Sequence, residues 1–203
     1  MIEEDSRSAW TLPVSLSGRH VALDPLLRSD VGGLRRATQD GALWQNWYAN
    51  VPTPDAVENY VDSALTMQDA GNACAFAVRD AAGEIVGSTR YYDIDRAVPR
   101  VSIGYTWYAA RVQRSGLNTE AKLLLLEHAF GALGCIAVAF ETSWFNQASR
   151  AAIARLGAKQ DGVLRSHKRH ADGSIRDTVV FSIIVSEWPA VRANLMARLA
   201  AHD

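Results

Sequence analysis

The chain has 203 residues, 48% of them hydrophobic and 21% charged, with a formal net charge of −1. This length and apolar fraction suffice to bury one sizeable core, so a single domain over 1–203 is the simplest organisation. The near-neutral balance gives no global support for a nucleic-acid or membrane-surface partner, and no stretch is long and apolar enough to span a membrane. Cys74 and Cys135 lie in apolar settings and read as buried reduced thiols of a cytoplasmic protein, with a disulfide between them the lesser alternative. The start, MIEEDSRSAW, is acidic and polar where a signal peptide is basic and then apolar.

In chain order, Met1 to Leu16 reads as a loosely held lead-in and Arg19 to Leu23 as a first strand. Pro25 and Ser29-Asp30 then set up a helix over Val31 to Ala37. Gly41 to Asn50 carries Trp44, Trp47 and Tyr48, and Pro52 and Pro54 punctuate it. Asp55 opens a second helix through about Asp69, with Val57, Val61, Ala64 and Leu65 on one stripe. Ala73 to Arg79 and Glu84 to Ile94 form a hairpin about Asp80-Ala81-Ala82-Gly83, and Arg100 to Tyr108 alternates as a fourth strand. A polar turn, Gln113 to Thr119, precedes a run of strong helix formers from Ala121 to Phe130. Gly131 and Gly134 break it. A fifth strand over Ile136 to Thr142 and a helix over Ser149 to Leu156 follow, ended by Gly157. Gly162 to Arg169 and Arg176 to Val185 make a hairpin about Asp172-Gly173, and Glu187 to Ala201 is a closing helix.

Arg100 to Leu126 is therefore a strand, a tight turn and a helix N-terminus. Free N–H groups at a helix start point outward together, and the helix dipole adds partial positive charge, so such a turn suits a phosphate or pyrophosphate. Gly116 lets the backbone approach closely, Arg114 adds a charged contact, and Ser115, Asn118 and Thr119 can cap the helix or donate to phosphate oxygens. A well-capped helix with no ligand is the competing reading. The turn lacks the GxxxxGK[ST] of a nucleoside triphosphate site and the GxGxxG of a dinucleotide site.

Gln113-x-x-Gly116-x-Asn118, after a strand and before a long apolar helix, resembles the acetyl-CoA pyrophosphate loop of GCN5-related N-acetyltransferases (GNAT), whose pattern is Q/R-x-x-G-x-G/A. Asn118 departs from the small final residue, and Asn118-Thr119-Glu120-Ala121-Lys122 resembles a RimJ/RimL-like branch of that family. A second segment agrees: Asn146-Gln147-Ala148-Ser149-Arg150 through Leu156-Gly157-Ala158 resembles the family's N-x-x-S-x-x-x-x-x-x-L-G-A/F. The resemblance implies an α+β acyltransferase fold over about 18–185, with a mostly antiparallel sheet of about seven strands splayed between the fourth and fifth, flanked by helices.

It further implies attack of a neutral amine on the acetyl-CoA thioester, with the backbone of Tyr105, Thr106, Trp107 and Tyr108 beside the pantetheine. Gln113, Arg114, Ser115, Gly116, Leu117, Asn118 and Thr119 would hold the pyrophosphate, with Asn146, Ser149 and Arg150 completing the cofactor site. Many relatives carry a tyrosine on the fourth helix that protonates the thiolate. This helix has none, and Ser149 is the candidate acid, a capping role being the alternative. Glu141 is the candidate base, with Asp93 and Asp95 as other carboxylates near the cleft. Trp44, Trp47, Tyr48 and Asp93 would wall the acceptor pocket, near Asp40, Asp55 and Glu58. His167 and His170 read as a solvated basic cluster with Lys168 and Arg169. No His or Cys spacing suggests a metal. The implied function is acetyl transfer to a primary amine, either a peptide or protein N-terminus or a small molecule, by a possible homodimer. A non-catalytic acyl-CoA-binding sensor or interaction module is the alternative from another class.

Overall fold

The structure is a computed structural model describing residues 10–170 and 172–202, so residues 1–9 of the expected lead-in lie outside the described residues. Its strands are β1 (Leu16–Ser17), β2 (Val21–Pro25), β3 (Ala73–Asp80), β4 (Ile85–Asp95), β5 (Arg100–Tyr108), β6 (Ala137–Ser143), β7 (Lys159–Arg169) and β8 (Ile175–Ile184). They form one sheet in the order β1-β2-β3-β4-β5-β6-β8-β7, antiparallel throughout except for the parallel β5–β6 pair. The helices are α1 (Val31–Gln39), α2 (Val57–Asp69), α3 (Leu117–Glu127), α4 (Gln147–Leu156) and α5 (Trp188–Ala200). This is the expected α+β architecture. The strand beyond the expected seven is β1, which pairs with β2 through Leu16↔Leu23 and ties down the end of the lead-in.

Helices cover both faces of the sheet. Along β4, Tyr91 donates its hydroxyl to the Leu125 carbonyl of α3, while its neighbour Arg90 lies over the Tyr60 ring of α2, as strand alternation requires. Ala73 to Val78 of β3 is accordingly buried without a break, because both of its faces are covered. The core gathers Leu23, Leu34, Val61, Phe76, Leu125, Phe140 and Leu195, none more than 2% exposed. Cys74 and Cys135 are buried and free, and burial pushes both thiols up to about 11.

Two irregularities place the site. First, β5 and β6 pair only at Arg100↔Ala137, Val101↔Val138 and Ser102↔Ala139, and then part. The expected splay is present, and β5 beyond Ser102 has no strand partner on that side. Second, β5 bulges: Ser88 opposes Trp107 while Arg90 opposes Gly104, and within the bulge Tyr105 has φ +51°, a left-handed conformation costly for a residue with a Cβ.

The helix after the turn begins at Leu117, earlier than its apolar run suggests, so Asn118 and Thr119 lie in its first turn. It ends in a π-helical turn over His128–Ala132, closed by the Leu133 N–H donating to the His128 carbonyl.

Candidate active site

The loop between β5 and α3 is held by its own side chains. Gln113 Nε2 donates to the Tyr108 carbonyl at 3.0 Å and ties the loop to the strand end. Ser115 Oγ donates to the Val112 carbonyl at 2.7 Å and accepts from the Leu117 N–H at 3.3 Å. Arg114 takes φ +62°. From the other side, Glu120 accepts from the backbone N–H groups of Arg19, His20 and Val21 at 2.9, 2.6 and 3.0 Å, which pins the start of α3 to the β1–β2 turn.

A cleft of about 430 Å³ opens over this helix start, lined by Arg114, Ser115, Asn118, Thr119, Ala152, Arg155, Leu156, Arg198 and His202. Arg114, Arg155 and Arg198 are exposed and make no ion pair among the described residues. Three guanidinium groups, an imidazole and a helix N-terminus form a donor set suited to a polyanion such as the phosphates of coenzyme A. Arg155, Arg198 and His202 were not legible in the sequence: they arrive from α4 and the end of α5, and only the fold brings them to the loop. A Cβ built on Gly116 would lie 3.3 Å from the His20 ring and 3.5 Å from His202, so the loop is closely packed at that glycine.

Beneath the β5 bulge, Lys122 of α3 is buried and donates from Nζ to Thr106 Oγ1 at 2.8 Å. Burial lowers its ammonium to about 7. On the opposite face Arg90, fully buried, lies 3.9 Å from the centre of the Tyr105 ring. The sequence pattern signals neither cation, because a lone Lys or Arg in an element normally faces water.

The side expected to receive the acceptor brings together part of the expected set. Trp47 meets Tyr48 at 5.7 Å between ring centres, Phe145 at 5.2 Å and His170 at 4.8 Å. His170 is thereby buried, 3.5 Å from Ser143 Oγ, and burial lowers its imidazole, which corrects the expectation of a solvated histidine. Lys168 likewise belongs to a pair: its Nζ donates to Glu141 Oε2 at 2.7 Å. Glu141 Oε1 has no protein partner among the described residues. Asp93 is exposed at φ +48°, and its carboxyl is raised first by desolvation, with Lys168 opposing and Glu141 reinforcing. Tyr92 adds a ring 5.3 Å from Tyr105. Trp44 is half-buried with its indole N–H unpaired, and no ring contact joins it to the Trp47 cluster. Asp40 is engaged by Arg111 at 3.5 Å, while Asp55 and Glu58 are exposed.

At the start of α4, Asn146 is the cap: its Oδ1 accepts from the Ser149 N–H at 3.0 Å. Ser149 Oγ makes no hydrogen bond to protein among the described residues, so its hydroxyl remains available. Arg150 lies 4.2 Å from the Trp144 ring centre and donates to the Trp144 carbonyl and to Gln147, bracing the helix start.

A parted sheet, a helix N-terminus and a cationic cleft beside it make up the kind of architecture suited to a phosphate-bearing ligand. The family model described as "Acetyltransferase (GNAT) domain" matches residues 20–159, and the chain belongs to that family. A Bacillus subtilis (strain 168) protein provisionally named ribosomal N-acetyltransferase YdaF is 29% identical over 106 residues, 52% of this chain. That match spans 57% of the relative's length. A GCN5-related N-acetyltransferase from Brucella melitensis has a similar structure, with 30% identity, TM-score 0.82, and coverage of 92% of this chain and 85% of that one. Mycobacterium smegmatis RimJ, in complex with CoA-disulfide, shares the fold at 21% identity and TM-score 0.77, covering 94% of this chain and 96% of that one.

Proposed function

We propose that this protein transfers an acetyl group from acetyl-CoA to a primary amine, with the N-terminal α-amine of a protein or peptide as the favoured acceptor and a small amine as the other. The observation that carries this reading is the convergence of the cationic cleft and the parted β5–β6 edge on one helix start, so that a nucleotide held at Arg114 and Asn118 can extend its thioester arm along the bulge of β5. The RimJ relative's complex with a CoA compound and the ribosomal name of the Bacillus relative support the cofactor and the acceptor class.

Bound acetyl-CoA supplies the electrophilic thioester carbonyl. The residues then have three tasks. The backbone of Tyr105 to Tyr108 orients the thioester and offers N–H groups to its oxygen as negative charge develops there. Glu141, with Oε1 open, accepts the proton of the attacking amine directly or through water, while Asp93 adds negative potential that draws the ammonium form in. As the C–S bond breaks, Ser149 passes its hydroxyl proton to the sulfur and takes one back from solvent water, so that CoA leaves as the thiol. Trp47 and Tyr48 offer ring faces to the acceptor. Chain 1–203 acts in this reading as one cytoplasmic domain that includes α5.

The test is release of CoA thiol from acetyl-CoA against a panel of N-terminal peptides, aminoglycosides, polyamines and aminoacyl compounds. Turnover with N-terminal peptides is the expected result, and Ser149→Ala then lowers kcat by about 10- to 100-fold while the KM for acetyl-CoA stays within about twofold. Tight acetyl-CoA binding with no turnover on any amine would replace the transferase with an acyl-CoA sensor.

A further inference from the structure

The groups beneath the bulge of β5 form a polar cluster inside an otherwise apolar layer. Lys122 is 6% exposed and makes no ion pair among the described residues. Its Nζ lies 2.8 Å from Thr106 Oγ1 and 3.5 Å from Thr89 Oγ1. The two hydroxyls are 2.7 Å apart, and each lies 3.4 Å from the Gly104 carbonyl oxygen. The amine therefore ends on the side chains and backbone that shape the bulge.

Two energetic costs coincide here. A buried amine without a carboxylate partner is expensive, and an apolar side chain of similar length would fill the same space at less cost. Tyr105 is held in a left-handed conformation, and the Arg90 guanidinium stacked on its ring is a second buried cation without an ion-pair partner among the described residues. Packing alone explains neither cation. Both act on consecutive residues of the strand segment that faces the gap, from opposite faces of the sheet.

We propose that Lys122 is a positioning residue for acetyl transfer: through its hydrogen bond to Thr106 it holds the bulge backbone in the conformation that presents N–H groups to the thioester oxygen. The inference rests on the transferase reading above, because it assigns the thioester to this segment of β5. A donor already fixed in place stabilises the developing charge without reorganising when the reaction occurs, and that fixing is what Lys122 and Thr106 contribute.

The test follows the bound thioester itself and needs no acceptor. Acetyl-CoA isotopically labelled at the acetyl carbonyl is bound to the full chain, its carbonyl stretching band is recorded by difference infrared spectroscopy, and its affinity is measured by calorimetry. In the wild type the band is expected to lie below that of free acetyl-CoA. Lys122→Met is expected to keep acetyl-CoA affinity within about threefold, to leave the melting temperature equal or higher, and to move the band at least half way back to the free position. Thr106→Val is expected to move it similarly, Thr106→Ser less because it retains a hydroxyl, and the double variant Lys122→Met/Thr106→Val no further than either alone. A wild-type band position in both Lys122→Met and Thr106→Val would overturn the proposal while leaving the transferase reading intact. Failure of the wild type to bind acetyl-CoA would overturn both.

Discussion

Lys122 also makes a claim that can be checked without any ligand. Burial lowers its ammonium from 10.5 to about 7, whereas in the unfolded chain it titrates near its ordinary value. Below about pH 7 both states carry the proton and the full penalty of a buried charge applies. Between pH 7 and 10.5 the unfolded state binds more protons, so this penalty fades as pH rises. Lys122→Met lacks the penalty altogether. Its stability advantage over the wild type in urea unfolding is therefore largest below pH 7, and between pH 7 and pH 9.5 it shrinks by on the order of 2–3 kcal/mol. Tyr91 and Tyr108 are pushed far above that window and the two thiols to about 11, and all four groups are common to both proteins. An advantage that stays flat with pH would mean that Lys122 titrates normally. At this scale the sequence was read unevenly. Gln113, Ser115, Asn146 and Ser149 sit in motifs whose backbone chemistry is local, so their placement was legible. Lys122, Arg90 and buried His170 were not, because a cation folded into a packed layer looks in sequence like any surface cation.

At the scale of elements, the joint between the β1–β2 turn and α3 decides how firmly the loop between β5 and α3 is held. Glu120 receives three backbone N–H groups of that turn, and the arrangement leaves no room beside Gly18: a Cβ there would lie 2.3 Å from Glu120 Cδ. Gly18→Ala must displace the carboxylate or the turn. It is expected to lower stability by about 1–3 kcal/mol in chemical denaturation, and to weaken acetyl-CoA binding because Glu120 directly follows Asn118 and Thr119. Unchanged stability and affinity would show that the joint yields freely. The strands and helices themselves were legible because apolar periodicity and glycine punctuation marked them. Two features were hidden for physical reasons. β1 is only two residues long, and it exists because β2 offers an edge for pairing. The early start of α3 was masked because Leu117 to Thr119 read as turn residues, although their location in the first helical turn leaves their N–H groups without partners inside the helix, the Leu117 N–H turning to Ser115 Oγ instead.

For the whole molecule, the distribution of charge matters more than its sum. The net charge of −1 gives no hint of a polyanion site, yet Arg114, Arg155, Arg198 and His202 converge on one cleft from three separate regions of the chain. The family match ends at residue 159, and α5 lies beyond it. That helix is nevertheless joined to the site's supports: Arg192 pairs with Glu127 of α3 at 2.8 Å, Asn194 donates to the Arg155 and Leu156 carbonyls of α4, and Val191 and Leu195 are buried. If α5 and the residues that follow it are part of the cofactor site, removing the Arg198 and His202 side chains must weaken binding without unfolding the protein, since Arg198 is exposed and makes no ion pair among the described residues. The double variant Arg198→Ala/His202→Ala is expected to bind acetyl-CoA about 10- to 50-fold more weakly, equivalent to about 1.4–2.3 kcal/mol. Its affinity should also fall less steeply with added salt than that of the wild type, because fewer charge contacts remain to be screened. Calorimetry at low and high ionic strength checks both. Equal affinity and equal salt dependence in the two proteins would place α5 outside the site and leave Arg114, Arg155 and the start of α3 to hold the phosphates alone.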